Sequence, residues 1–132
     1  MKLSQFTNKS VSNNYKNLLN SVEKVFLKKS LQNISVGDTI KVGFSIQEGN
    51  KDRIQYYQGI VISKKNIGIN FKIVVRKVFQ GIGVERQFLP HSPKFESLKI
   101  LRSANIRRSK LYYLRKISGK ASRLKQKFSN KK

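Results

Sequence analysis

The residues best suited to chemistry in this chain are cations and tyrosines that alternate near its C-terminus. Between positions 107 and 125, eight Lys or Arg side chains flank Tyr112 and Tyr113. Guanidinium and ammonium groups bind phosphate oxygens, and tyrosine rings stack on bases or sugars. No acidic residue follows Glu96, so these cations have no carboxylate partner in their own segment. The pattern predicts a nucleic-acid interface, although the cations could instead form a solvated helix face and the tyrosines could pack on the protein.

The charge of the whole chain also favours a polyanionic partner. The 132 residues include 29 Lys plus Arg and six Asp plus Glu, which gives a formal net charge of +23. A phosphate backbone neutralises many such cations at once and releases its counterions. An anionic membrane surface is the alternative polyanion, but no apolar run approaches the roughly 18 residues that a membrane-spanning helix needs, and we expect no membrane partner.

The residue types in the sequence give little support for a catalytic site or a metal site. The chain has no cysteine and one histidine, His91, which excludes disulfides, thiolate sites and multi-histidine metal clusters. Ser92 is adjacent to His91, but neighbouring residues rarely achieve the geometry of a nucleophile and its base. We therefore expect no enzymatic activity, no cofactor, no metal and no small-molecule substrate, and we interpret His91 as a loop residue that hydrogen-bonds to a phosphate or to the backbone.

Five segments with strand-like patterns precede the basic residues. Apolar and polar residues alternate from Thr39 to Ile46, and an apolar run from Gln55 to Ile62 contains Gly59. Gly59 predicts a bulge or a tight bend, the alternative being a flat strand in which glycine avoids a clash. Residues Gln80–Gly83 link two further strands as a hairpin. Short antiparallel strands of this kind predict a mainly β fold, a small SH3-like or OB-like barrel over residues 36–101.

The two ends of the chain have different patterns. Residues 1–13 are polar and aperiodic, which predicts a flexible arm. Six apolar residues between positions 15 and 26 recur three and four apart, which predicts a helix over residues 14–29 that covers one face or opening of the barrel. Residues 102–132 are predicted to be a basic helical tail. Its first helix extends from Arg107 to Lys116 before a left-handed Gly119, and a second helical segment covers residues 120–128.

Several stretches resemble, in order, those of the bacterial-type ribosomal protein L19 family. They are Val36–Thr39, Tyr57–Ile62, Val75–Lys77, Gly83–Arg86, Phe88 with His91–Pro93, Arg108–Arg115 and Gly119–Ala121. The resemblance implies an SH3-like barrel bound to large-subunit rRNA at the subunit interface, with bridges to small-subunit rRNA and ribosomal protein L14 as a neighbour. It implies a structural role in translation. The alternative is a free basic nucleic-acid-binding barrel that acts in transcription or RNA processing.

The basic residues and the resemblance together give a predicted set of rRNA contacts. The set is Arg76, Lys77, Arg86, His91, Arg102, Arg107, Arg108, Lys110, Tyr112, Tyr113, Arg115, Lys116, Lys120, Arg123 and Lys125. The composition is rich in Lys, Asn and Ile, the residues that AT-rich codons encode. This favours a ribosome in a plastid (chloroplast) over one in a bacterial cytoplasm or a mitochondrion.

Overall fold

The computed structural model describes residues 15, 17–28, 31–66 and 68–128, and its main element is one antiparallel sheet. Its strands are β1 (Thr39–Glu48), β2 (Lys51–Lys65), β3 (Lys72–Phe79), β4 (Ile82–Phe88) and β5 (Phe95–Arg102). The strands lie in the order β4-β3-β2-β1-β5. Successive hairpins therefore build four neighbouring strands, and β5 returns to pair with the free edge of β1. The prediction of a mainly β fold is confirmed.

The sheet curls around one apolar core. Phe44 on β1 and Phe88 on β4 are separated by two strands in the sheet, yet their ring centroids are 5.5 Å apart. Tyr57 on β2 also approaches Phe88, with centroids 5.6 Å apart. The buried residues of this core are Ile34, Ile40, Val42, Phe44, Val61, Phe71, Ile73, Val75, Phe88 and Phe95. A curled five-stranded sheet closed over such a core is the predicted small barrel-like fold.

The irregularity of β2 lies at Ile62 and not at Gly59. The pairing of β1 with β2 runs through Gly59 without a shift, whereas the pairing of β2 with β3 shifts between Val61 and Ser63. A Cβ atom at Gly59 would lie 2.8 Å from Val75 Cγ1. The prediction of a bulge at Gly59 is therefore wrong. Glycine at this position avoids a clash with β3, as the alternative held.

The link between β3 and β4 is a two-residue turn. Phe79 pairs with Ile82, and the residues between them, Gln80 and Gly81, have φ values of 50° and 80°. Two consecutive left-handed residues match the twist of the flanking strands, which is why glycine is favoured in such turns. The predicted hairpin is confirmed.

Residues 15 and 17–26 form helix α1, which confirms the predicted N-terminal helix. Its apolar side chains do not cover the barrel as predicted, since Val25 is 80% exposed and Phe26 61% exposed. Polar contacts join this region to the barrel instead. Glu23 Oε2 accepts a hydrogen bond of 3.3 Å from the backbone N–H of Ile69, and Lys28 Nζ donates to the carbonyl of Phe95 at 2.6 Å. The predicted flexible arm, residues 1–13, lies outside the described residues.

Residues 103–127, here called the basic loop, close on themselves. The backbone N–H of Asn105 donates to the carbonyl of Lys125 at 2.9 Å, and that of Lys127 donates to the carbonyl of Ser103 at 2.7 Å. Between these ends lie two single-turn 3-10 helices, Tyr112–Arg115 and Gly119–Ser122. The two ends therefore pair as a short antiparallel ladder rather than continuing as helices.

The helical segments predicted for the tail are thus too long. The backbone N–H of Leu111 donates to the carbonyl of Ile62 at 2.8 Å. This N–H is therefore bonded to β2 and is not available for a hydrogen bond within the predicted helix. Cations three and four residues apart would also repel one another on an α-helix. Gly119 is left-handed as predicted, with φ of 67°, but it begins the second 3-10 helix.

A second apolar cluster fixes the basic loop to the outside of the sheet. Ile62, Leu111 and Leu114 are buried together. Val74 on β3 also packs in this cluster, whereas its neighbours Ile73 and Val75 belong to the barrel core. Successive strand residues point to opposite faces. The basic loop is therefore packed on the face of the sheet opposite the barrel core.

Candidate nucleic-acid interface

The basic loop brings together ten of the 15 predicted contact residues. Leu111 and Leu114 anchor the loop, and exposed cations occupy the positions around them. The exposed cations are Arg107, Arg108, Lys110, Arg115, Lys116, Lys120, Arg123, Lys125 and Lys127. No acidic residue lies in the loop sequence. Its electrostatic field is therefore strongly positive and suited to a phosphate backbone.

The two tyrosines of the loop have different environments. Tyr113 is half-buried in the second apolar cluster, with Arg108 Cζ 5.3 Å from its ring centroid. Tyr112 is 42% exposed, and its hydroxyl donates to Ser63 Oγ at 3.3 Å. Arg115 Cζ lies 4.6 Å from the Tyr112 ring. Both rings thus pack in part on the protein, and Tyr112 has the more accessible surface.

Glu85 on β4 joins the basic loop to the β3–β4 hairpin. Arg115 donates to its carboxylate twice, from Nε to Oε1 at 2.9 Å and from Nη2 to Oε2 at 2.7 Å. Arg76 Nη1 donates to Oε1 at 3.0 Å. The hydrogen bond from Arg115 is the main cause that lowers the pKa of Glu85 below its ordinary value of 4.5, and burial opposes this effect. The same hydrogen bond raises the pKa of Arg115.

This cluster changes the interpretation of two predicted contacts. Arg76 has a side chain only 15% exposed, and its guanidinium would block any side chain at Gly83. Arg115 donates from both Nε and Nη2 to the carboxylate of Glu85. The sequence predicts both as RNA contacts, but the structure uses both in an internal ion-pair network. Glu85 was not among the predicted functional residues, although it lies in the stretch Gly83–Arg86 that resembles the family and is an isolated acid among cations.

Replacing Glu85 with Gln tests this network. The change removes the carboxylate that pairs with both guanidinium groups, so we expect the Tm at neutral pH to fall by on the order of 4 °C. A group whose pKa is lowered by folding stabilises the protein above its ordinary pKa. The difference in Tm between the unchanged protein and Glu85→Gln should therefore reach its full size above pH 4.5. It should shrink as the pH falls through the lowered pKa of Glu85. Thermal unfolding followed by circular dichroism from pH 3 to pH 7 measures it.

The matched control is Glu48→Gln. The ion pair between Glu48 and Arg53 joins two side chains that are each more than half exposed, and such pairs contribute little. We expect the control to leave the Tm nearly unchanged at every pH. Equal effects of the two changes would show that Glu85 does not hold the loop.

The other predicted contacts lie at the edge of the loop or apart from it. Arg102 is exposed at the end of β5, and Lys77 lines a groove that Lys116 also lines. Arg86 covers the barrel core, with Cζ 4.1 Å from the Phe44 ring centroid. His91 accepts a hydrogen bond of 3.2 Å at Nδ1 from the backbone N–H of Lys28. The backbone partner that the sequence analysis allowed for His91 is thus observed.

An exposed apolar patch marks the tip of the β3–β4 hairpin. Val78, Phe79 and Ile82 are each exposed by more than half. These residues follow the buried part of β3, and the predicted contacts did not include them. An apolar tip of this kind is typical of a surface that another protein covers.

Across residues 15, 17–28, 31–66 and 68–128, no group of three or more His, Asp or Glu side chains could hold a metal ion. Within the same described part of the chain, no helix has the length and apolar character to cross a membrane.

Known proteins match this chain along most of its length. The sequence profile of the family described as Ribosomal protein L19 matches residues 17–127. Large ribosomal subunit protein bL19c of Trieres chinensis is 57% identical over 118 residues, which are 89% of this chain and 98% of that protein. Large ribosomal subunit protein bL19 of Synechocystis sp. is 60% identical over 111 residues, which are 84% of this chain and 91% of that protein. The bL19c protein of Mesostigma viride is 55% identical over 116 residues, 88% of this chain and 98% of its own.

Proposed function

Because the chain belongs to the ribosomal protein L19 family, we propose that its basic loop is the main rRNA-binding element of a structural protein of the large ribosomal subunit. The protein is not an enzyme, since the family is a structural component of the ribosome. The observation that carries the proposal is the loop itself. It holds nine exposed cations, contains no acid and is anchored by a buried apolar cluster. A free RNA-binding barrel is not favoured, because the relatives are named as ribosomal proteins.

The proposed contacts fall into two groups. Arg107, Arg108, Lys110, Lys116, Lys120, Arg123 and Lys125 bind phosphates of large-subunit rRNA directly. Arg76 and Arg115 act mainly through Glu85, which holds the loop against the hairpin. The barrel is then the scaffold, residues 36–101, and residues 102–132 are the RNA-binding part. Fixing the loop in advance reduces the entropy that binding would otherwise cost.

Two further partners are proposed. Ribosomal protein L14 is the proposed neighbour at the hairpin tip, where exposed Phe79 and Ile82 favour a protein surface over a phosphate backbone. Small-subunit rRNA is the proposed partner of cations away from the basic loop. Arg86 supports this contact, since it lines a separate groove together with Lys94. We also propose a plastid ribosome, which the chain's 21 Lys, 13 Ile and 11 Asn support.

Chemical acetylation of lysines tests the proposed contacts. Large subunits that contain this chain and the free chain are treated with the same acetylating reagent, and each lysine is quantified by mass spectrometry. We expect Lys110, Lys116, Lys120 and Lys125 to react much more slowly in the subunit, because phosphates cover their ammonium groups. Association of the large subunit with the small subunit should protect further lysines outside the loop from acetylation.

Lys51 and Lys65 are the internal controls, because both are exposed on β2 and lie outside the proposed interface. Their reactivity should be similar in the free chain and in the subunit. If the loop lysines stay as reactive as these two, the loop is not the rRNA-binding element.

A further inference from the structure

We propose that the basic loop holds one unstacked base of rRNA in the cavity that it encloses, an inference that rests on the proposed function. The cavity measures 830 Å³ and lies between the two paired ends of the loop. Residues 105–108 form one wall and residues 123–125 form the other. Its volume falls in the range of about 300–1,000 Å³ that is typical of clefts for small ligands.

The floor of the cavity is apolar. Leu111 is buried there, and Ile106, Ile117 and Leu124 are half-buried beside it. Because water gains few hydrogen bonds over such a floor, covering it with the flat face of a base is favourable. Proteins recognise RNA bases mostly where they are unstacked and can lie against apolar, aromatic or guanidinium surfaces.

The rim of the cavity is cationic. Arg107, Arg108, Arg123 and Lys125 line it and are exposed. None of the described residues that line the cavity is acidic. The cations of the rim can bind the phosphates that flank an inserted base, and the amide of Asn105 offers both a donor and an acceptor to a base edge.

A stacking surface lies at the edge of the cavity. Arg108 Cζ is 5.3 Å from the Tyr113 ring centroid, and both residues line the cavity. The outer face of this guanidinium offers a plane on which a base can stack. The combination distinguishes a base from other occupants, since a free phosphate does not need the apolar floor and an apolar peptide does not need four cations.

The walls are held in place before RNA arrives. The backbone hydrogen bonds between Asn105 and Lys125 and between Lys127 and Ser103 fix the distance between them. Leu111 and Leu114 fix the floor on the sheet. A cavity that is already formed binds its ligand with a smaller ordering cost.

Ultraviolet cross-linking in isolated large subunits tests the proposal. Irradiation without added reagent joins a base to side chains in direct contact, and mass spectrometry then identifies the linked residue. We expect a nucleotide on Tyr113 or on another cavity residue. The variant Ile117→Gln, which makes part of the apolar floor polar and keeps every cation, should lower this yield by about fivefold or more, because a base can no longer cover that apolar surface favourably.

The variant Ile54→Gln is the matched control, since it makes the same change at an exposed position of β2 outside the cavity. It should leave the cross-link unchanged. If the chain is in the subunit but cross-links only outside the cavity, base capture is wrong and the proposed rRNA contact stands. If the chain is absent from the subunit, the proposed function fails as well. Should Ile117→Gln not fold, the cross-link map of the unchanged protein decides alone.

Discussion

Replacing Leu111 with Ala is expected to release the basic loop from the sheet while the barrel stays folded. Leu111 is 1% exposed and belongs to the second apolar cluster, not to the barrel core. Truncating a buried leucine costs about 2–5 kcal/mol. The lost contacts fix only the basic loop to the sheet. The free-energy cost should therefore appear as local opening of the loop and not as global unfolding.

Amide hydrogen exchange measures this effect directly. The N–H groups of Asn105, Leu111 and Lys127 are bonded across the loop or to β2. We expect them to exchange about 30-fold faster or more, which corresponds to the lower end of the leucine cost. The amides of β1 and β3 should keep their protection. Affinity for rRNA should fall in parallel, since the loop must then be ordered on binding.

Leu101→Ala is the control for this variant, because Leu101 is 40% exposed on β5. It should change the exchange of the loop amides little. Equal exchange in Leu111→Ala and in the unchanged protein would show that the second apolar cluster does not anchor the loop.

The strands were predictable because their sequence pattern and their burial have the same period. Ile40, Val42 and Phe44 alternate with less apolar residues, and all three are in the barrel core. The hairpin of β3 and β4 was predictable because Gly81 favours a left-handed turn. Local chemistry was sufficient for these elements.

The basic loop could not be predicted in the same way. Its residues suit a helix locally, but its ends pair with each other and Leu111 bonds to Ile62, which is distant in sequence. Long-range hydrogen bonds therefore override the local preference. The bulge at Ile62 has the same origin, because it depends on how β2 pairs with β3.

The candidate site was predictable in outline and not in detail. Residues 102–132 contain 12 of the 29 Lys and Arg residues, and the absence of acids after Glu96 indicated that these cations have a polyanionic partner. The sequence could not show that Arg76 and Arg115 are both bonded to Glu85, which lies on β4. It also left open the packing of Tyr113. Each of these depends on which face of the sheet the loop covers.

The most direct test of the central claim is the salt dependence of rRNA binding when three loop cations are neutralised. Arg107, Arg108 and Lys110 are exposed just before the buried Leu111, so changing all three to Gln should spare the fold. The matched control changes Lys51, Lys65 and Lys99 to Gln, which removes the same charge from exposed positions of β2 and β5. Affinity for a transcript of large-subunit rRNA is measured across a range of salt concentrations.

If the basic loop binds phosphates, losing three contacts should reduce the slope of log affinity against log salt by about 2–3. The control should keep the slope of the unchanged protein, because its cations lie outside the proposed interface. Affinities that fall equally in both variants, with equal slopes, would show that only the net charge of the chain matters. That result would contradict the assignment of rRNA binding to the basic loop.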